Sequence, residues 1–111
     1  MTSHADLVAG RWQSLTLAEQ LGHVGSEVDR AIVAWDAHRV DRFEKALARA
    51  LELFDLTARD DRWRGPRRRE ILRSREEFCR LFFADDPPPG AARTLSDYFL
   101  RFAMLARRRS G

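Results

Sequence analysis

The sequence predicts an all-α fold, a single antiparallel up-down bundle of about four helices, on three observations. Apolar residues recur at helical spacing in four segments. Short loops rich in polar residues, proline or glycine separate those segments, which is the usual arrangement of a helical bundle. No segment shows the alternation of apolar and polar residues that a half-buried strand requires. A three-helix core with a docked fourth helix is the alternative.

The first two predicted helices each begin at a capping box, in which an N-cap side chain and a later glutamate bond to free backbone amides. The boxes are Thr16-x-x-Glu19 and Asp41-x-x-Glu44. A mainly apolar stripe then marks one face of each helix. It comprises Leu17, Leu21, Val24, Val28, Ile32 and Trp35 in the first helix, and Phe43, Leu47, Ala50, Phe54 and Thr57 in the second.

Two glycines, Gly22 and Gly25, lie inside the first predicted helix. Glycine in a helix interior costs about 1 kcal/mol relative to alanine. We therefore predict that a neighbouring helix approaches closely on this side. A groove that contacts a ligand is the alternative.

The third predicted helix begins at Pro66, a favourable first-turn residue, and the fourth follows a weaker box, Thr94-x-x-Asp97. Three prolines place a loop at residues 84–90, because each removes a backbone donor. The apolar stripes comprise Ile71, Leu72, Phe78, Cys79 and Phe82 in the third helix, and Leu95, Phe99, Phe102 and Ala106 in the fourth.

The predicted domain organisation has two parts. Residues 1–13 lack a helical period and are predicted to form a flexible N-terminal segment with Trp12 as its anchor. Residues 14–111 form the single helical-bundle domain.

Composition favours a cytoplasmic protein without a cofactor. Cys79 is the single cysteine, so an internal disulfide is excluded and a reducing compartment fits. We find no signal-peptide pattern and no apolar run of about 18 residues, which predicts no membrane partner. The sequence also lacks a glycine-rich phosphate loop and paired-cysteine zinc spacing, so neither a cofactor nor a metal site is predicted.

Charge is distributed unevenly along the chain. Residues 1–58 carry 6 basic and 9 acidic side chains, whereas residues 59–111 carry 14 basic and 8 acidic ones. Of the 20 basic residues, 19 are arginine, a skew that a GC-rich genome alone would produce. The uneven distribution is therefore more informative than the arginine content itself.

Arginines gather around Trp63, in the loop and first turns of the third helix. Arginine binds phosphate, and an interleaved aromatic ring suits a stacked base. We therefore predict contact with RNA, DNA or another polyanion here and at the C-terminal arginines. The alternative is that these arginines form salt bridges on a solvent-exposed face and bind no ligand. The predicted contact residues are Arg62, Trp63, Arg64, Arg67, Arg68, Arg69, Arg107 and Arg108.

Arg75 falls near the middle of the apolar face of the third helix. A guanidinium keeps its charge, so inside a bundle it needs a carboxylate partner. Asp29 is the predicted partner, in a buried structural ion pair, and Asp55 fits less well. An anion site lined by Arg75 and Arg68 is the alternative.

Two apolar residues of the fourth helix, Leu100 and Met104, lie nearly opposite its main stripe. A terminal helix that is apolar on two sides indicates a second contact surface. We therefore predict an interface here with a protein partner or with a second copy of the chain.

Three parts of the sequence, residues 17–31, 49–57 and 62–79, together resemble a family of small uncharacterised prokaryotic helical-bundle proteins. The resemblance implies no activity and no site residues, since none is assigned to that family. In architecture the chain is also similar to basic four-helix-bundle accessory proteins, such as those that assist the reverse transcriptases of diversity-generating retroelements.

The predicted function is that of a non-enzymatic interaction or accessory protein that contacts a polyanion through its arginine-rich C-terminal half. A module that binds only proteins is one alternative. A toxin-like RNA-cleaving helical domain is another, and it would need Arg75 and a histidine to meet in a cleft. No catalytic residue is predicted.

Overall fold

A computed structural model describes residues 10–110, and within that range it contains no strand. The long helices are α1 (Leu17–Asp36), α2 (Val40–Arg59), α3 (Pro66–Phe83) and α4 (Ala91–Ser110), with a 3₁₀ turn at Asp61–Trp63. The all-α helical bundle is therefore confirmed. No helix in the described range combines the length and the apolar character needed to cross a bilayer.

The helices contact one another in a ring. Each helix packs against the next along the chain, and α4 returns to pack against α1. The most extensive contacts join α1 to α2 and to α4, whereas α3 contacts α2 and α4 over fewer residues. The diagonal pair α1 and α3 makes no extensive contact, which is the arrangement of an up-down bundle.

One of the three predicted capping boxes is present. The Thr16 backbone amide donates to Glu19 Oε1 at 2.9 Å, and the Glu19 amide donates to Thr16 Oγ1 at 3.1 Å. The Asp41 box is wrong, because the tight turn at His38 (φ 57°) lets α2 begin at Val40, with Arg39 as an N-cap that makes no side-chain bond. The fourth helix likewise begins before its predicted box.

The start of α4 lies at Ala91, so Thr94 and Asp97 are inside the helix and the predicted box is wrong. Gly90 has φ 77°, a left-handed conformation that lets the chain leave the proline loop directly into the helix. Pro66 does begin α3, as predicted.

The core lies where the predicted stripes of the four helices meet. Its fully buried apolar side chains include Val24 and Val28 of α1, Phe54 of α2 and Phe78 of α3. Phe99 of α4 completes it, 1% exposed and 5.8 Å from Phe54 between ring centroids. Two predicted stripe members stay at the surface instead, Trp35 and Leu72.

The glycines of α1 face α4. A Cβ atom on Gly25 would stand 2.5 Å from Phe99 Cβ, and one on Gly22 would stand 3.3 Å from Ala103 Cα. The predicted close approach of a neighbouring helix is therefore confirmed, and α4 is that helix.

The segment before α1 is partly described. Residues 1–9 of the predicted flexible segment lie outside the described residues, and residues 10–13 are helical. Trp12 is 8% exposed, and its Nε1 donates to Thr57 Oγ1 of α2 at 3.0 Å. Trp12 thus attaches this segment to the bundle.

Candidate functional site

A buried polar cluster joins the 3₁₀ turn to α1. Gln20 is fully buried. Its Nε2 donates to the Trp12 carbonyl at 2.9 Å and to Asp60 Oδ2 at 3.0 Å. Its Oε1 accepts a hydrogen bond from Trp63 Nε1 at 2.7 Å. Every donor of the Gln20 amide is satisfied, so the cluster fixes the turn in place.

Arg62 closes the same cluster. Asp60 Oδ1 accepts from the Arg62 backbone amide at 3.1 Å and from its Nε at 3.0 Å, and Oδ2 accepts from Nη2 at 2.7 Å. Nη2 also donates to the Leu15 carbonyl at 2.7 Å. The Arg62 hydrogen bonds hold the pKa of Asp60 well below its ordinary 3.8, at about 2. The guanidinium carbon lies 4.5 Å from the centroid of the Trp63 ring.

Arg62 and Trp63 were predicted to contact a polyanion, and the structure places both inside this cluster. Nε and Nη2 of Arg62 and Nε1 of Trp63 already have partners within the protein. Sequence reasoning missed the cluster because Gln20 and Asp60 belong to distant segments, and neither carries a local signal of their contact.

Acid titration tests the cluster. Because the folded-state pKa of Asp60 lies below its unfolded value, its contribution is present above about pH 4 and is lost as the pH falls towards about 2. We expect the free energy of unfolding to fall by about 2 kcal/mol over that window from this group. Urea denaturation at stepped pH measures it. An Asp60→Asn variant with an equally steep pH dependence would contradict the assignment.

The other residues that were predicted to contact a polyanion lie in different environments. Arg64 forms an exposed ion pair with Asp61 at 3.0 Å. Arg68 donates weakly to the Asp60 carbonyl at 3.4 Å, and its Nε is buried without a partner. Arg67 and Arg69 are exposed, and no carboxylate among residues 10–110 lies within 4 Å of either. The exposed pair Arg107 and Arg108 lies in the last turn of α4.

The predicted ion pair of Arg75 with Asp29 is wrong. Arg75 Nε donates to Asp55 Oδ1 of α2 at 3.1 Å, and both side chains are partly exposed, at 34% and 40%. Asp29 accepts instead from Ser96 Oγ of α4 at 2.7 Å. In the ring of helices α3 lies beside α2 and α4, so its arginine meets a carboxylate of α2 rather than one of α1.

A polar groove of about 560 Å³ separates α3 from α4. Within it the Tyr98 hydroxyl donates to the Glu70 carboxylate. Burial, together with that carboxylate, raises the pKa of Tyr98, so the phenol stays protonated and ties α4 to α3. Arg69 and Arg73 also line the groove, but Glu70 and Glu77 offset their charge.

Within the part of the chain that the structure describes, residues suited to catalysis do not converge. His23 is exposed, with its ring 5.8 Å from that of Trp12, and His38 is exposed at the turn between α1 and α2. Neither histidine hydrogen bonds to Arg75, whose partner is Asp55. Among residues 10–110, no three His, Cys, Asp or Glu side chains are grouped so as to hold a metal ion.

Apolar side chains are exposed together at the end of the bundle that contains the turn between α1 and α2. The Trp35 ring centroid lies 4.9 Å from that of Phe43 and 5.2 Å from that of Phe82, which lies 6.4 Å from that of Phe83. Trp35, Val40 and Phe83 are 44%, 64% and 65% exposed. We call these five residues the aromatic end.

A second concave surface, the α1–α2 groove, adjoins the aromatic end and has a volume of about 1100 Å³. Ala34 and Arg39 of the groove also line a cavity beside Trp35, Val40 and Phe43, so the groove and the aromatic end are continuous. We refer to the apolar side chains that line the groove as the floor and to the basic ones as the rim. The floor comprises Val33, Ala34, Ala37 and Ala46, and the rim cations are Arg30, Arg39, Arg42, Lys45 and Arg49.

The predicted interface residues of α4 lie at the surface. Leu100 and Met104 are 52% and 46% exposed, and Leu105 beside them is 40% exposed. Their use as an interface stays a prediction.

Comparisons of the chain with protein-family models, with curated proteins and with solved structures gave no match. The resemblance to a family of prokaryotic helical-bundle proteins therefore stays a prediction.

Proposed function

We propose that the chain is a binding module rather than an enzyme, and that it recognises a protein partner through the aromatic end. The observation that carries the proposal is the joint exposure of Trp35, Val40 and Phe83. Contiguous exposed apolar patches mark interaction sites. Aromatic side chains that become buried on binding supply much of the energy of protein interfaces.

Packing between helices holds the Trp35 ring of the aromatic end in place. The Trp35 ring packs against both Phe43, which is 8% exposed, and Phe82. These side chains lie on three different helices, so the patch is part of the bundle rather than of a loop. A preordered surface loses less conformational entropy when a partner binds.

Contact of α3 with RNA or DNA is the second candidate function. Arg67, Arg69 and Arg73 favour it, because all three are exposed and no carboxylate among residues 10–110 lies within 4 Å of them. Binding of this kind would weaken steeply between about 50 and 200 mM salt. Glu70 and Glu77 on the same helix weigh against it.

Peptide selection tests the protein-binding proposal. Peptides enriched from a random phage-displayed library on the immobilised protein are expected to compete for one surface. Trp35→Ala should weaken their binding at least about tenfold, because truncation of a central interface tryptophan costs about 2 kcal/mol or more. Fluorescence anisotropy with labelled synthetic copies of the peptides measures the dissociation constant.

Two further variants make this test decisive. Phe83→Ser should weaken binding in the same direction, and its high exposure limits any effect on folding. The double variant Leu100→Ser with Met104→Ser removes exposed apolar residues from α4 and should leave binding within about twofold of wild type. Loss of binding in the α4 variant alone would overturn the proposal.

A further inference from the structure

Four cations on the rim of the α1–α2 groove have no counter-ion in the described part of the chain. No carboxylate among residues 10–110 lies within 4 Å of Arg39, Arg42, Lys45 or Arg49. A row of like charges repels itself, and it attracts an anionic ligand.

The two acidic residues of the groove are already engaged. Glu27 Oε1 accepts from Arg30 Nη1 at 2.7 Å, and Asp29 Oδ1 accepts from Ser96 Oγ at 2.7 Å. Neither carboxylate lies within 4 Å of a cation of α2, and the five cations of the groove outnumber its two acidic residues. The groove combines a positive rim with an apolar floor, in which Val33 is 67% exposed.

The length of the groove suits a segment of polypeptide. Its volume is about 1100 Å³. From Arg39 to Arg49 the rim extends about 15 Å along α2, which is the length of about three helical turns.

The alanines in the floor, Ala34, Ala37 and Ala46, have side chains short enough for another helix to pack closely against α1 and α2. The described residues include no sheet edge to which an extended peptide could add a strand. The floor also lacks aromatic rings on which nucleic-acid bases could stack. A helix is therefore the segment that fits.

We infer that the α1–α2 groove binds an acidic amphipathic helix of the partner protein. The apolar side of that helix covers Val33 and the alanines, and its carboxylates lie against Arg42, Lys45 and Arg49. These three cations are spaced i, i+3 and i+7 on α2, so they form a row about one turn apart. The inference rests on the proposed function, because the groove continues into the aromatic end.

A designed probe tests this inference. It is a fluorescein-labelled synthetic peptide of about five helical turns, with leucine along one face and glutamate on both flanks. Anisotropy titration of the full chain is expected to show saturable binding. The triple variant Arg42→Glu, Lys45→Glu and Arg49→Glu should weaken it at least about tenfold, as should a probe with glutamine at every glutamate position.

A charge-matched variant on another face distinguishes an effect of the groove on binding from an effect of the net charge of the protein. The triple variant Arg67→Glu, Arg69→Glu and Arg73→Glu makes the same change in charge on α3 and should alter binding less than about twofold. Val33→Asp should weaken binding as the groove variant does. Equal losses in the two triple variants, or no saturable binding of the probe, would overturn the inference. Tighter binding of a labelled RNA, lost only in the groove variant, would also overturn it.

Failure of this inference is distinguishable from failure of the proposed function. Selected peptides that require Trp35, lack acidic residues and tolerate the groove variant would leave the proposed function standing and overturn the inference. An acidic probe that requires the groove but tolerates both Trp35→Ala and Phe83→Ser would overturn the aromatic end as the recognition site.

Discussion

Replacement of Asp60 with alanine is expected to lower the free energy of unfolding by about 3 kcal/mol. The Asp60 side chain is 3% exposed and accepts hydrogen bonds from Arg62 and Gln20. Its removal leaves a buried amide donor of Gln20 without its acceptor, and it leaves Arg62 with the Leu15 carbonyl but no carboxylate. Buried donors that lose a partner retain the full cost of their desolvation.

The neighbouring residue Asp61 is the matched control for Asp60. Its side chain is 78% exposed and pairs with Arg64 at the surface. Asp61→Ala should therefore change the free energy of unfolding by less than about 0.5 kcal/mol. Urea denaturation followed by circular dichroism measures both variants. Similar small losses in the two would show that the polar cluster does not stabilise the turn.

Replacement of Gly25 with alanine is expected to destabilise the bundle by about 2–3 kcal/mol. The new Cβ would stand 2.5 Å from Phe99 Cβ, so α1 and α4 would have to separate. Phe99 is 1% exposed and contacts Phe54, so that separation would disturb the centre of the core. The gain of about 1 kcal/mol in helix propensity is too small to compensate.

Gly22 provides the matched control on the same helix. A Cβ there would stand 3.3 Å from Ala103 Cα, so a shift of a few tenths of an ångström relieves the contact. Helix propensity offsets that strain, and we expect Gly22→Ala to change stability by less than about 1 kcal/mol. Thermal and urea denaturation compare the two variants. Equal stability of the two would contradict the close approach of α4 at Gly25.

The two largest predicted effects concern the hydrophobic core and the polar cluster, which hold in place the helices that form the proposed interaction surfaces. The core holds α1 between α2 and α4, and the polar cluster fixes the turn that leads into α3. With α1 held in this way, Val33 and Trp35 near its C-terminal end lie at the surface beside α2. Variants of the core or the polar cluster should therefore change the free energy of unfolding, whereas variants of the aromatic end or the groove should change the affinity for a partner.

Local patterns in the sequence were sufficient to predict the helices, the Thr16 cap, the start at Pro66 and the close approach at Gly22 and Gly25. Helical period, capping and glycine propensity act over a few residues, so a short stretch of sequence contains the information. The starts of α2 and α4 were placed too late, because turns at His38 and Gly90 allow helix formation before the nearest capping pattern.

The sequence pattern could not identify contacts between distant segments. Helical spacing placed Arg75 on a face of α3, but the neighbour that meets this face depends on the order of helices in the ring, which brings Asp55 rather than Asp29. Trp63 looked available for a ligand until the fold brought Gln20 to it, and Gln20 also bonds to Asp60, the local partner of Arg62.

The charge of a surface, like its contacts, depends on how the helices pack as well as on the sequence of each helix. Counted along the chain, the first half is acidic, yet α1, α2 and the turn between them place five cations around one apolar groove. The net charge of a segment counts the side chains on every face of its helices. A binding surface between two helices includes only the side chains on one face of each. The sequence therefore determined the helices and their faces, and only helix packing decided which charged and aromatic side chains share a surface.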